Sequence, residues 1–202
     1  MTQTVKFWFD PACPFAWITS RWITEVEKAR DIKVDFNVIS LGVLNEDKQD
    51  QNDPETKALW QGARTAHLVR ERHGADKVAE FYTAAGTRIH NEGYGVERYG
   101  DALPEALNEI GVSDVDEILD ESTKDTHNDA LRDSTKEALS LVGDDVGTPI
   151  IVVGDHGFFG PVLTRIPRGE EAGKLWDGFV ILAEYPAFAE LKRARDGELD
   201  FS

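Results

Sequence analysis

The chain reads as an α/β protein in which a β-α-β half and a β-β-α half flank an all-helical block. Three features imply this. An apolar strand pattern near the start runs into an amphipathic helix and a second strand, a long middle stretch shows only helical periodicity, and a hairpin pattern leads into a last helix.

Taken in order, residues 5–10 (VKFWFD) are rich in apolar and aromatic side chains and are stopped by Pro11, as expected of a buried or half-buried strand. From Pro14 to about Arg30 the residues Phe15, Trp17, Ile18, Trp22, Ile23 and Val26 recur at helical spacing, with Ser20, Arg21, Glu25 and Lys28 on other faces. Residues 33–41 (KVDFNVISL) alternate Val34, Phe36 and Val38 with Lys33, Asp35 and Asn37, which predicts a second strand. A strand, helix, strand order implies a right-handed crossover and parallel pairing.

Residues 54 to about 143 carry four or five helical patterns. Residues 54–73 keep Leu59, Ala63, Ala66 and Val69 in register, and residues 76–89 keep Val78, Phe81, Tyr82, Ala85 and Ile89. Ser113 with Asp116 reads as a capping box ahead of Ile118 and Leu119, and a helix over 126–142 stops at Gly143. Beyond the turn-rich GDDVGTP, residues 150–153 (IIVV) and 157–159 flank a turn at Gly154, Asp155 and His156, the pattern of a tight antiparallel hairpin. Pro167 and Arg168 open a final helix through Leu175, Phe179 and Leu182 to about Arg195, broken or kinked near Pro186. The order predicts a thioredoxin-like fold, with residues 1–50 and 144–202 as the thioredoxin-like domain and 51–143 as an all-helical insertion.

At 202 residues and 41% hydrophobic content the chain can bury a sizeable core as one ordinary domain, or one domain with an insertion. No run approaches the roughly 18 apolar residues that span a bilayer. The start, MTQTVKFWFD, lacks both the basic and the apolar region of a secretory leader, so a cytoplasmic protein without a membrane partner is expected. With 22 Lys+Arg against 38 Asp+Glu, the net charge of −16 would repel a phosphate polyanion, and no nucleic acid partner is expected. One cysteine permits neither an internal disulfide nor a Cys-based zinc site. Any redox chemistry therefore involves a second molecule.

That cysteine, Cys13, falls where the first strand ends and the first helix begins, followed by Pro14 at the position where a missing N–H costs nothing. A sulfur there faces unpaired backbone N–H groups and the positive end of the helix dipole, which predicts a thiol pKa well below that of free cysteine. The plainer reading is a small buried hydrophobe, as most free cysteines are. Thr148-Pro149, just before the third strand, is the second feature of note: X-Pro bonds are the common source of cis peptides, though a proline in a loop needs no such role.

FWFDPACPFAW, the helical block and then VGTP before a hairpin resemble the DsbA-like thioredoxin family. Within it, WITSRWI, TRIHN and FFGPVLTRIPRGEEAGKLWD are similar to actinobacterial cytoplasmic enzymes that use mycothiol, the mycothiol-dependent nitroreductases and mycoredoxin-like reductases. The resemblance implies a nucleophilic Cys13, a cis-proline loop at Pro149 opposite it, and mycothiol as co-substrate with no tightly bound cofactor. It also implies that the Thr148 backbone pairs with the cysteinyl part of a substrate, as in strand addition. One departure stands out. The family's Cys-Pro-X-Cys is here Cys13-Pro14-Phe15-Ala16, without the resolving thiol. A natural monothiol branch and a Cys-to-Ala change made to trap a mixed disulfide both account for it. In either case Cys13 can attack a disulfide and hold the product, but cannot release it through an internal bond.

Other candidates carry plainer alternatives. Phe15 and Trp17 would shape a groove for an apolar substrate or a sugar face, or serve as core. Asn45 would hydrogen-bond a substrate, or form a turn. His90 and Asn91 would reach the cleft from the end of a helix, and Arg168 would bind an acidic or hydroxyl-rich group, or stay solvated. His67, His73, His127 and His156 read as surface or loop residues, and none of the five histidines shows the spacing of a metal site, so no metal is expected.

The function expected is a thiol-disulfide oxidoreductase in which Cys13 reduces mixed disulfides with mycothiol, its partners being mycothiol and mycothiolated or disulfide substrates, as a monomer or homodimer. The alternatives are a mycothiol-dependent transferase or nitroreductase, and a binding module with a vestigial thiol.

Overall fold

The computed structural model describes residues 2–195 and 197–202. Strand β1 (Gln3–Phe9) leads to helix α1 (Pro14–Ala29) and strand β2 (Ile32–Val38). A short α2 (Leu41–Leu44) follows, then α3 (Pro54–His73) and α4 (Ala75–Gly86). A π-helical turn (Thr87–Asn91) and a 3-10 turn (Val96–Arg98) lead to α5 (Tyr99–Glu109) and α6 (Val115–Ser122). A second 3-10 turn (Asp125–His127) enters α7 (Asn128–Ser140), and β3 (Ile150–Val153), β4 (His156–Phe159) and α8 (Gly169–Ala183) complete the order.

The sheet runs β2-β1-β3-β4. β1 lies parallel to β2 along its whole length, from Gln3 beside Ile32 to Phe9 beside Val38, as a helical crossover requires. β3 is antiparallel to both β1 and β4, and a two-residue turn at Gly154 and Asp155 joins β3 to β4 with Gly154 at φ 60°. This is the thioredoxin-like sheet that the sequence predicts.

Alternation along β1 divides the interior. Val5, Phe7 and Phe9 join Trp17, Trp22 and Ile23 of α1 and the helices after β2 in one large core. Trp8, on the other face, packs with Ile39, Ile150 and Ala138 of α7 in a smaller one. In the large core Phe9 stacks on Tyr82 of α4 with ring centroids 3.7 Å apart, and Trp17 meets Tyr82 edge-on at 5.5 Å. Gly86 allows that approach, because a Cβ there would collide with the Trp17 ring. α4 is thereby drawn against the start of α1.

Four expectations need correction. β2 ends at Val38 and not at Leu41, because the Ser40 hydroxyl accepts the Val43 N–H at 3.3 Å and caps α2. No capping box forms at Ser113. α6 starts after Asp114, whose carboxylate is taken by Arg72 at 3.1 Å and His73 at 2.7 Å from α3. The last helix stops at Ala183, well before Arg195, since a residue preceding proline is disfavoured in the helical region and Pro186 follows Tyr185. The described residues beyond it run back irregularly across the molecule. Arg21, assigned from the sequence to a polar face, has its guanidinium 4.2 Å from the centre of the Trp17 ring and bonded to Thr83 at 2.9 Å. Burial lowers its pKa to about 10. No helix among the described residues is long and apolar enough to cross a membrane.

Candidate active site

The site is built where β1 gives way to α1. Asp10, buried at the strand end, accepts the Ala12 N–H at 2.8 Å on one carboxylate oxygen and the Leu41 N–H at 2.7 Å on the other. It fixes both the loop into α1 and the start of α2. Burial pushes its pKa up to about 7, the two backbone donors opposing that rise.

Cys13 is the N-cap of α1, with Pro14 in the first turn. Its sulfur accepts the Ala16 N–H at 3.4 Å, and its S–H donates to the Thr148 carbonyl, also 3.4 Å away. Thr148 is held from the other side by its hydroxyl, which donates to the Trp8 carbonyl at 3.2 Å. The Thr148-Pro149 bond is cis. Ala16 and Pro149 are buried beside these atoms.

The expected low thiol pKa is not found in this state. Only 7% of Cys13 is exposed, and burial pushes its pKa up to about 11, with the Asp10 charge adding in the same direction. The Ala16 N–H, and to a lesser extent the Phe15 N–H and the Arg195 charge, pull the other way but are outweighed: they are weak compensation for a thiolate deprived of water.

Against the loop that leads into Cys13 stands a wall of rings and amides. Trp17 stacks on His90 with centroids 5.8 Å apart, and its indole N–H donates to Asn91 at 2.9 Å. Asn91 in turn donates to the Phe201 carbonyl at 2.7 Å, and the Phe201 ring lies 5.7 Å from His90. His90 pairs with the Pro11 carbonyl at 2.9 Å, and burial lowers its pKa to about 4, so the ring is neutral at physiological pH and donates from Nε2. A cavity of about 290 Å³ opens beside this wall, lined in part by Trp17, Arg21, Asn91, Arg168 and Phe201. Phe15 lies under the Arg195 guanidinium, 5.3 Å from its ring centre.

Of the residues singled out in the sequence, Cys13, Pro14, Ala16, Thr148 and Pro149 converge on the sulfur, Trp17 and His90 form the adjacent wall, and Arg168 joins Trp17 in the cavity. Asn45 is different. It ends α2, and its side-chain N–H goes back to the Leu41 carbonyl at 2.9 Å, which is the turn-former's role. Sequence reasoning passed over Arg21 and Phe201 as site residues, and an arginine four residues after Trp17 was the available signal.

A cysteine capping the first helix of a thioredoxin-like sheet, against the carbonyl of an X-Pro pair, defines a DsbA-like protein. The match of the family described as Rv2466c-like, mycothiol-dependent nitroreductase Rv2466c, over residues 12–193 makes the assignment particular: the chain belongs to that family. The uncharacterized protein Rv2286c of Mycobacterium tuberculosis is 30% identical over 196 residues, which cover 95% of this chain and 82% of that protein. Among solved structures, a 2-hydroxychromene-2-carboxylate isomerase superposes with a TM-score of 0.60 at 13% identity, covering 88% of this chain and 93% of that one. A probable DsbA oxidoreductase of Streptomyces coelicolor gives 0.55 at 16% identity, covering 95% and 94%. The cytosolic disulfide reductase DsbM of Pseudomonas aeruginosa, solved with GSH, gives 0.55 at 12% identity, covering 89% and 100%. At such identities these structures share the fold alone.

Proposed function

We propose that the chain is a cytoplasmic thiol-disulfide oxidoreductase in which Cys13 works alone, with mycothiol as its co-substrate. The observation that carries this reading is the contact of the Cys13 sulfur with the Thr148 carbonyl while Ala16, without a sulfur, fills the place of a second thiol.

In the free protein the Thr148 carbonyl accepts the thiol proton. A cysteinyl substrate laid along this edge offers a backbone N–H to the same carbonyl, in the manner of strand addition. The S–H then loses its acceptor, and the Ala16 N–H becomes the stronger influence on the sulfur, favouring the thiolate. The thiolate attacks the mycothiol sulfur of a mixed disulfide, forming Cys13–S–S–mycothiol and expelling the substrate thiolate, which takes up a proton. A second mycothiol thiolate attacks that bond, yielding mycothiol disulfide and regenerating Cys13. The net reaction consumes one mixed disulfide and one mycothiol and yields one free thiol and one mycothiol disulfide. Phe201 supplies a ring face for a hydroxyl-rich ligand, and Arg168, which lines the same cavity, a donor.

Membership of a family described by nitroreduction favours a second reading, in which two mycothiol molecules deliver two electrons and two protons to a nitro group, giving a nitroso compound, water and mycothiol disulfide. Intact mass after exposure to mycothiol disulfide tests the first reading. One mycothiol is expected on Cys13 and none on Cys13→Ser. An unmodified wild type would remove the proposed cycle.

A further inference from the structure

Away from the thiol, the helical region brings together three donors that the sequence separates. His67 and Glu71 stand one turn apart on α3, and His127 closes the 3-10 turn ahead of α7. One ligand atom of each lies within 4.8 Å of the other two. Glu71 Oε2 is 3.8 Å from His67 Nε2 and 3.8 Å from His127 Nδ1, and the imidazole centroids are 5.8 Å apart. Neither 3.8 Å separation is a hydrogen bond.

The spacing suits an ion better than it suits the residues alone. Two ligand atoms at about 2.0–2.1 Å from a tetrahedral zinc are about 3.4 Å apart, so each Glu71 pair would close by about half an ångström and the two imidazole nitrogens, within 4.8 Å of each other, by at most about 1.4 Å, which side-chain rotation can supply. The second nitrogen of His127, Nε2, lies 3.2 Å from Glu121, and Glu121 is held by Arg72 at 2.6 Å. A proton on Nε2 donated to that carboxylate leaves the Nδ1 lone pair facing Glu71. That is the outer-shell arrangement which orients a metal-bound imidazole. Both histidine side chains are about one-fifth exposed, so an ion can enter from solvent while the rings stay packed.

We propose that His67, Glu71 and His127 form a site for a divalent transition-metal ion of the zinc class, with water in the fourth position. Two imidazoles and one carboxylate are the donor set of such ions and a poor one for magnesium or calcium. The ion ties α3 to the connection between α6 and α7. The expectation from sequence that no metal site exists rested on histidine-histidine spacing along the chain. His-x-x-x-Glu on one helix and a histidine from another element fall outside that pattern.

The test uses the full chain with Cys13→Ser, so that the thiol does not contribute a ligand. Titration with Zn²⁺ by calorimetry, and with Co²⁺ by its ligand-field absorption, is expected to saturate at one ion per chain, with micromolar or tighter affinity for Zn²⁺, tetrahedral cobalt bands and a raised Tm. His67→Ala and His127→Ala, checked for folding by circular dichroism, should each lose these effects, and Glu121→Gln should weaken Zn²⁺ binding about 10–100-fold. If a variant is unfolded, Glu71→Gln, on an exposed side chain, provides the same test. Zn²⁺ binding that survives loss of the three side chains, or none that saturates at one ion, overturns the proposal.

Discussion

The sulfur of Cys13 and the carbonyl oxygen of Thr148 lie 3.4 Å apart, with the thiol as donor. The free thiol is thus a hydrogen-bonded, buried group whose proton is held by the carbonyl that, in the proposed function, a substrate backbone engages.

The first prediction is that thiolate absorbance titrated in the free protein has its midpoint above the ordinary cysteine value of about 8.5. Burial is the cause, and it places the thiol near 11. A midpoint below the ordinary value would mean that the closed arrangement at Thr148 is not the resting state.

Asp10 makes stability depend on pH in a direction opposite to that of a salt-bridged carboxylate. Its pKa is raised from 3.8 to about 7, so its contribution is fully present below about pH 4 and is lost as pH rises through 7. The shift corresponds to about 4 kcal/mol at alkaline pH. Asp10→Asn removes the buried charge but leaves one of the two backbone donors facing an NH₂ group, at about 1–3 kcal/mol. Urea denaturation should find the variant more stable than wild type by about 1–3 kcal/mol above pH 8 and less stable below pH 5. The same sign at both ends would contradict the account. Because the Asp10 charge also raises the thiol pKa, iodoacetamide should alkylate the variant faster at pH 8.

Gly86→Ala places a methyl group against the Trp17 ring. Overpacking of this kind should destabilise the fold by about 1–3 kcal/mol, read as a lower Tm. Trp17 fluorescence should change with it, since the ring must move from Tyr82 and His90. An unchanged Tm would show that α4 does not press on the site.

Ala16→Cys puts a second sulfur one turn along α1 from Cys13, at the residue whose N–H already reaches the first sulfur. Mild oxidation should then yield an internal disulfide, seen as a two-hydrogen loss in intact mass, and a bound thiol should leave without added reductant. A mixed disulfide that persists as long as in the Ala16 protein would show that the helix does not present both positions to one cleft.

Local signals account for what was legible in the sequence. Pro14 and Pro54 mark helix starts, and α3 ends where Gly74 takes a φ of 88°. Cys13 and Thr148 could be found because each stands beside a proline at an element boundary. What escaped depends on contacts between distant segments. The polar pattern of α1 exposes Arg21, yet α4 and the Trp17 ring cover it. The thiol pKa was misjudged for a related reason: helix position is readable in sequence, whereas the burial that outweighs it comes from packing around the sulfur, where Thr148, far along the chain, makes contact. Pairing of Asp114 with Arg72 and His73 displaced a capping box in the same way.

The central claim, a single-cysteine cycle, is tested most directly by the decay of the Cys13–mycothiol disulfide at varied free mycothiol. With Ala16 in place of a resolving thiol, the rate should rise in proportion to mycothiol concentration and extrapolate to zero without it. A finite rate at zero mycothiol, independent of protein concentration, would show release by a group within the chain and contradict the account.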